Sequence, residues 1–184
     1  MKKIILMGCL MAACTTQGMA QKYMTRTAKI SFNATTAHSP EKIEGVNSEV
    51  ANILDAKTGD MVFQVMVKSF KFERELMKEH FDENYMESDK FPKAEFKGAV
   101  TNISEVNIAK DGTYNAKVSG KLTIHGVTKD VSVPGTFTVS GKTITAKAKF
   151  NVVLKDYGIN VPSLVADKLS KEAIINLESA LIQK

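Results

Sequence analysis

Lys121-Leu122-Thr123-Ile124-His125-Gly126-Val127-Thr128-Lys129-Asp130-Val131-Ser132-Val133 decides how this chain is read. Leu122 and Ile124 alternate with polar neighbours, and Val131 and Val133 repeat the alternation further on. Period 2 marks half-buried strands, because successive side chains leave opposite faces of a strand. Between the two runs lies His125-Gly126-Val127-Thr128. Gly126 takes positive φ at no steric cost, so the chain can reverse there. The stretch predicts a hairpin or a tight corner between paired strands.

Working outward, the alternation continues in both directions. Tyr114, Ala116, Val118 and Gly120 lead into Leu122, and Phe137 and Val139 follow Val133. Pro134-Gly135 predicts an edge, bulge or bend in that second strand. Ser140-Gly141-Lys142 predicts a short hairpin turn into the cleanest alternation in the chain, Ile144, Ala146, Ala148, Phe150, Val152 and Leu154. Upstream, Ala28, Ile30 and Phe32 share one face of a first strand, Met61, Phe63, Val65 and Val67 another, and Ala94, Phe96, Gly98 and Val100 a third. Ala173, Ile175, Leu177 and Leu181 make a last strand. Ile43–Leu54 is open between strand and helix, because Val46, Val50 and Leu54 are spaced by four. Val161–Leu169 reads as a short helix or an irregular crossing.

Phe72–Met86 changes period. Phe72, Leu76, Met77 and Phe81 suit the apolar face of one short amphipathic helix ending before Ser88. That face would close one end of a barrel or serve as a lid over a ligand entrance. The whole pattern is all-β, about eight antiparallel strands with one short helix. It fits an eight-stranded, lipocalin-like up-and-down barrel, with a two-sheet sandwich as the alternative.

Several of these segments carry a family resemblance. Leu122-Thr123-Ile124-His125-Gly126-Val127-Thr128-Lys129 resembles the central signature of the YceI-like family of bacterial lipid- and polyisoprenoid-binding proteins. His80–Tyr85 and Lys90–Gly98 resemble that family's segment before it, and Phe150-Asn151-Val152 and Asp156-Tyr157-Gly158-Ile159 its late strand and turn. The resemblance runs from about Leu76 to Ile159 in the family's order and spacing. It implies the barrel rather than the sandwich, and an apolar ligand in the interior.

Residues 1–20 read as a secretory leader. Lys2-Lys3 precedes a short apolar run from Ile4 to Ala13, and Gly18-Met19-Ala20 offers a cleavage site ahead of Gln21. The barrel domain is then 21–184, in the periplasm or secreted. Met11-Ala12-Ala13-Cys14 also resembles a lipoprotein box, so lipidation at Cys14 and membrane anchoring form the alternative. Both cysteines, Cys9 and Cys14, lie in the leader, leaving no thiol chemistry or disulfide for the mature domain. The net charge of +5 falls to +3 without Lys2 and Lys3. Charges are interspersed, tryptophan is lacking, and no basic stripe carries aromatics, which argues against a nucleic-acid partner.

Catalytic motifs are missing. The chain has no Gly-x-Ser-x-Gly elbow, His-Glu-x-x-His pair or phosphate loop, so the reading is not an enzyme and needs no cofactor. His80 and His125 would hold a metal only if folding joined them; a corner histidine bonded to nearby backbone is the simpler role for His125. Binding rests on volume. Ala28, Gly98, Ala116, Gly120, Ala146 and Ala148 are small residues on presumed inward faces. They would leave a tunnel lined by Phe32, Phe63, Val65, Phe96, Val118, Ile144, Phe150 and Leu177. The residues alone leave open a core filled by Phe and Met, giving a structural or stress-related interaction module without a ligand. The family resemblance moves the reading to binding of an isoprenoid or fatty-acid-like chain.

Overall fold

The structure, a computed structural model, describes residues 21–184; the predicted leader, with Cys9 and Cys14, lies outside the described residues. Eight strands run β1 (Lys22–Thr35), β2 (Glu44–Asp55), β3 (Asp60–Met66), β4 (Lys93–Val100), β5 (Gly112–Ile124), β6 (Val127–Ser140), β7 (Thr143–Val153) and β8 (Leu169–Gln183). Each pairs antiparallel with the next, and β8 returns to β1, closing a barrel. The sandwich alternative therefore falls away.

The β5–β6 connection is the hairpin that Gly126 predicted. His125 has φ 50° and Gly126 φ 74°, and Ile124 pairs directly with Val127. Two central residues at positive φ make the turn whose twist matches the flanking strands. A Cβ on Gly126 would also stand 2.6 Å from the Phe91 ring, so this position is closed to side chains on two counts.

Ile43–Leu54 resolves as strand β2, and its ambiguous pattern has a physical cause. Thr25 pairs with Asn52, Ala28 with Val50, and Ile30 with Asn47. Each strand thus inserts one extra residue in turn, a pair of compensating bulges that shifts the inward parity. β1 turns Tyr23 inward before its bulge and Ala28 after it; β2 buries Asn52 and Val50, then Asn47. The two asparagines are fully buried with both amide nitrogens partnered, while the Asn52 Oδ1 has no hydrogen-bond partner. Asn47 Nδ2 donates to the Met66 carbonyl at 2.9 Å, and Asn52 Nδ2 to Ser179 Oγ at 2.9 Å.

Pro134-Gly135 marks where a ladder stops. β5 and β6 pair along their whole length, but β6 and β7 pair only from Gly135↔Ala148 to Ser140↔Thr143. Proline has no N–H to offer a neighbouring strand. The first half of β6 therefore parts from β7 on the side where the cavity lies.

The expected helix is shorter than its periodicity suggested. Helix α1 spans Glu75–His80 and runs into one π-helical turn, Phe81–Tyr85. Phe72 and Phe81 pack against the core, but Leu76 is 62% exposed and does not belong to the buried face. This segment lies across one barrel end. The opposite end is closed by the β4–β5 connection, whose Ile103, Val106 and Ile108 pack beneath Tyr23, Leu54, Val100, Val139, Ile144 and Leu181. The stretch Val161–Leu169 is irregular apart from one 3-10 turn, Ser163–Val165.

Candidate functional site

The barrel holds a cavity of about 840 Å³. That lies within the range of small-molecule sites, and almost every surface in it is hydrocarbon. The walls come from inward positions of the strands. Phe32, Phe63, Val65, Phe96, Val118, Ala146, Ala148, Phe150 and Leu177 all line it, as read from the sequence alternation.

Four anticipated lining residues lie elsewhere. Ala116 and Ile144 are 2% and 0% exposed and belong to the packed closed end rather than the wall. Gly98 and Gly120 face each other across β4 and β5. A Cβ on Gly98 would stand 2.3 Å from the Ser119 carbonyl and 2.6 Å from the Phe96 ring, and one on Gly120 would stand 2.4 Å from Gly98 Cα. The room these glycines leave is taken by Phe96, which folds over both and meets Phe63 edge to face at 6.5 Å. Their smallness serves strand packing, and Phe96 is the surface the cavity meets. Ala28 likewise sits in the closed end, at 1% exposure.

Sequence reasoning placed the Phe72–Met86 segment at one barrel end but assigned none of its residues to the cavity lining. Four phenylalanines converge there: Phe81 stacks on Phe32 at 5.3 Å, and Phe70 and Phe72 meet Phe32 edge-on at 5.6 and 5.8 Å. Phe70, Phe72, Phe81 and Tyr85 line the cavity, but none sits on a period-2 strand, so alternation could not assign them. The signal available was their density, with Phe70, Phe72 and Phe81 closely spaced. Polar residues cluster at this end, with Glu95 and Lys147 also among the lining residues. Ser39, Glu41, Arg74, Glu75, His80 and Lys168 rim the opening, and Arg74 pairs with Glu41 at 2.5 Å.

The histidines do not form a common centre, and no group of three potential metal ligands comes together among the described residues. His80 Nδ1 contacts Asn84 Nδ2 at 3.0 Å. His125 has the structural role anticipated for it, and more. Its Nδ1 lies 3.2 Å from the Tyr157 carbonyl, and its Nε2 lies 3.0 Å from Glu87 Oε2. A carbonyl and a carboxylate both accept, so the two bonds stand together only when each ring nitrogen carries a proton. Lys90, and then His125, hold the Glu87 carboxyl below its ordinary range by hydrogen bonding to its ionised form. Burial moves the Tyr157 phenol the other way, helped by Asp156.

An eight-stranded closed barrel with one capped end and an apolar interior is lipocalin-like in architecture. The model of the YceI-like domain matches residues 22–180, and the chain belongs to the YceI-like family. Solved structures of the same fold include a polyisoprenoid-binding domain from Saccharophagus degradans implicated in plant cell wall breakdown. It is 12% identical, with a TM-score of 0.76, over 90% of this chain and 99% of that one. BcnA of Burkholderia cenocepacia is 18% identical, TM-score 0.67, over 84% and 95% of the two chains. The YceI protein of Campylobacter jejuni is 14% identical, TM-score 0.58, over 81% and 89%. No curated protein matches the chain.

Proposed function

We propose that this protein is an exported carrier or sequestering protein for a long apolar molecule, an isoprenoid or a fatty-acid-like chain. The single observation that carries the reading is the apolar cavity of about 840 Å³, closed at one end and rimmed by polar groups at the other. Burying the chain drives binding, at roughly 0.8 kcal/mol for each CH₂ removed from water. The polarity gradient orients the ligand, with its tail among Phe63, Phe96, Val118 and Ala148 and its polar head at the rim by Arg74, Glu41 and Lys168. Family membership supports a lipid ligand. The Lys2-Lys3 start, apolar run and Gly18-Met19-Ala20 site support export.

The alternative module with a filled core is less well supported, because the inward phenylalanines fold against the wall and against each other instead of meeting on the axis. Titration with a fluorescent polyene fatty acid tests the reading. Saturable one-to-one uptake, competed by an isoprenoid alcohol, is expected. Failure of both classes to bind would return the filled-core module to first place.

A further inference from the structure

The two most exposed large apolar side chains among the described residues are Leu164, at 89%, and Leu76, at 62%. They lie on segments far apart in sequence, yet both segments border the same opening. Leu76 and Met77 line the cavity from one side, and Val165, Lys168 and Leu169 line it from the other. The loop between them, 36–43, also lines the mouth through Ser39, Pro40, Glu41 and Ile43 and is tied to both flanks. Glu41 pairs with Arg74, and the Thr36 N–H donates to the Lys168 carbonyl at 3.3 Å. The two leucines therefore stand on one rim around an apolar interior.

Exposed leucines cost solubility and gain nothing from packing within the chain. Their surroundings indicate what would cover them. Each is flanked by charges of both signs, Arg74 and Glu75 beside Leu76, and Asp167 and Lys168 beside Leu164. Such a rim complements a surface that itself presents phosphate and ammonium groups side by side. An apolar chain that fills the cavity is scarcely soluble in water, so it must be taken from and returned to a lipid phase.

We propose that this rim is a docking surface for a zwitterionic phospholipid bilayer, with Leu76 and Leu164 inserting so that the cavity opens directly onto the lipid. The proposal rests on the cavity's reading as a chain-binding site. Insertion places the phenylalanine quartet at the level of the acyl boundary, the depth at which apolar side chains of interfacial segments settle. The chain then passes from bilayer to barrel without crossing water.

The chain has no tryptophan, so Leu164→Trp supplies a single reporter in the otherwise unchanged exported protein. Ile182→Trp, 55% exposed and outside the cavity lining, reports on the barrel surface away from the mouth. With phosphatidylcholine vesicles, Trp emission at position 164 should move to shorter wavelength, and emission at position 182 should not. Leu164→Asp should weaken vesicle partition roughly tenfold or more, the scale of losing one buried leucine. Uptake of the polyene fatty acid from solution should survive in Leu164→Asp, because Leu164 lies outside the cavity lining, separating failure of docking from failure of the cavity reading. Unchanged emission at position 164 would overturn the proposal. So would emission that shifts only at position 182, or a Leu164-dependent doubling of mass without vesicles, which would assign the rim to a second copy of the chain.

Discussion

His125 and Glu87 each hold a backbone conformation that side chains disfavour, and each is bonded to the other. They are the two non-glycine residues with positive φ among the described residues, at 50° and 41°, and their side chains meet at 3.0 Å. One sits in the β5–β6 turn and the other just after the π-helical turn that borders the mouth. The bond thus fastens the mouth segment to the barrel wall, with Phe91 packed edge to face on the imidazole at 4.5 Å. Removing the ring takes a donor from the Tyr157 carbonyl and leaves the Glu87 carboxylate with Lys90 as its remaining side-chain partner. His125→Ala should destabilise the fold by about 1–3 kcal/mol in urea unfolding, the range for losing buried hydrogen-bond partners. A change within a few tenths of a kcal/mol would show the contact to be incidental.

The same pair gives stability a dependence on acid. Glu87 titrates lower in the folded protein than in the unfolded chain, because Lys90 and His125 bond its ionised form. Its contribution is therefore complete above the unfolded-state carboxylate pKa and is lost as pH falls through the depressed folded value. Thermal melting followed from neutral to acid pH should show a steeper fall for the wild type than for Glu87→Gln. Parallel curves for the two proteins would refute the linkage.

Two alanines that read alike in sequence should respond differently to enlargement. Ala148 lines the cavity, so Ala148→Phe should fill it, abolish uptake of the polyene fatty acid and leave the barrel folded. Ala116 lies in the packed end at 2% exposure, so Ala116→Phe should overpack it and cost about 1–3 kcal/mol. Equal uptake by Ala148→Phe and wild type would move the ligand out of the barrel.

Gly98 and Gly120 should tolerate no side chain. The added carbon would meet carbonyl oxygens at 2.3 and 2.4 Å, and backbone cannot move aside as a side chain can. Gly120→Ala should lose about 1–3 kcal/mol in urea unfolding, by the same overpacking. Stability equal to the wild type would mean that β4 and β5 are farther apart than described.

The strands were legible where one rule, alternation, was enough. β5, β6 and β7 read correctly from Tyr114 to Val152 because apolar residues keep parity there without a bulge, while Leu154, read as part of the same alternation, opens a 3-10 turn. β2 was ambiguous because an extra residue shifts its parity and because Asn47 and Asn52 face inward, which hydrophobic patterning cannot anticipate. The cavity wall was largely legible for the same reason as the strands. The segment over the mouth was legible from its change of period, but the convergence of Phe70, Phe72 and Phe81 on Phe32 was not, since irregular chain brings them there. Nor did the sequence distinguish Ala148 from Ala116. Both are small and inward, and only the packing of Ile103 and Val106 shows which end is closed.

The most direct test of the central claim is native mass spectrometry of the protein expressed from its full sequence, compared with its denatured mass. A bound apolar ligand predicts extra mass in the native protein that denaturation releases into organic solvent. The denatured mass separately reports cleavage ahead of Gln21 or a lipid on Cys14. A native mass equal to the denatured mass, even after incubation with isoprenoids and fatty acids, would contradict the account and turn attention from the cavity to the outer surface of the barrel.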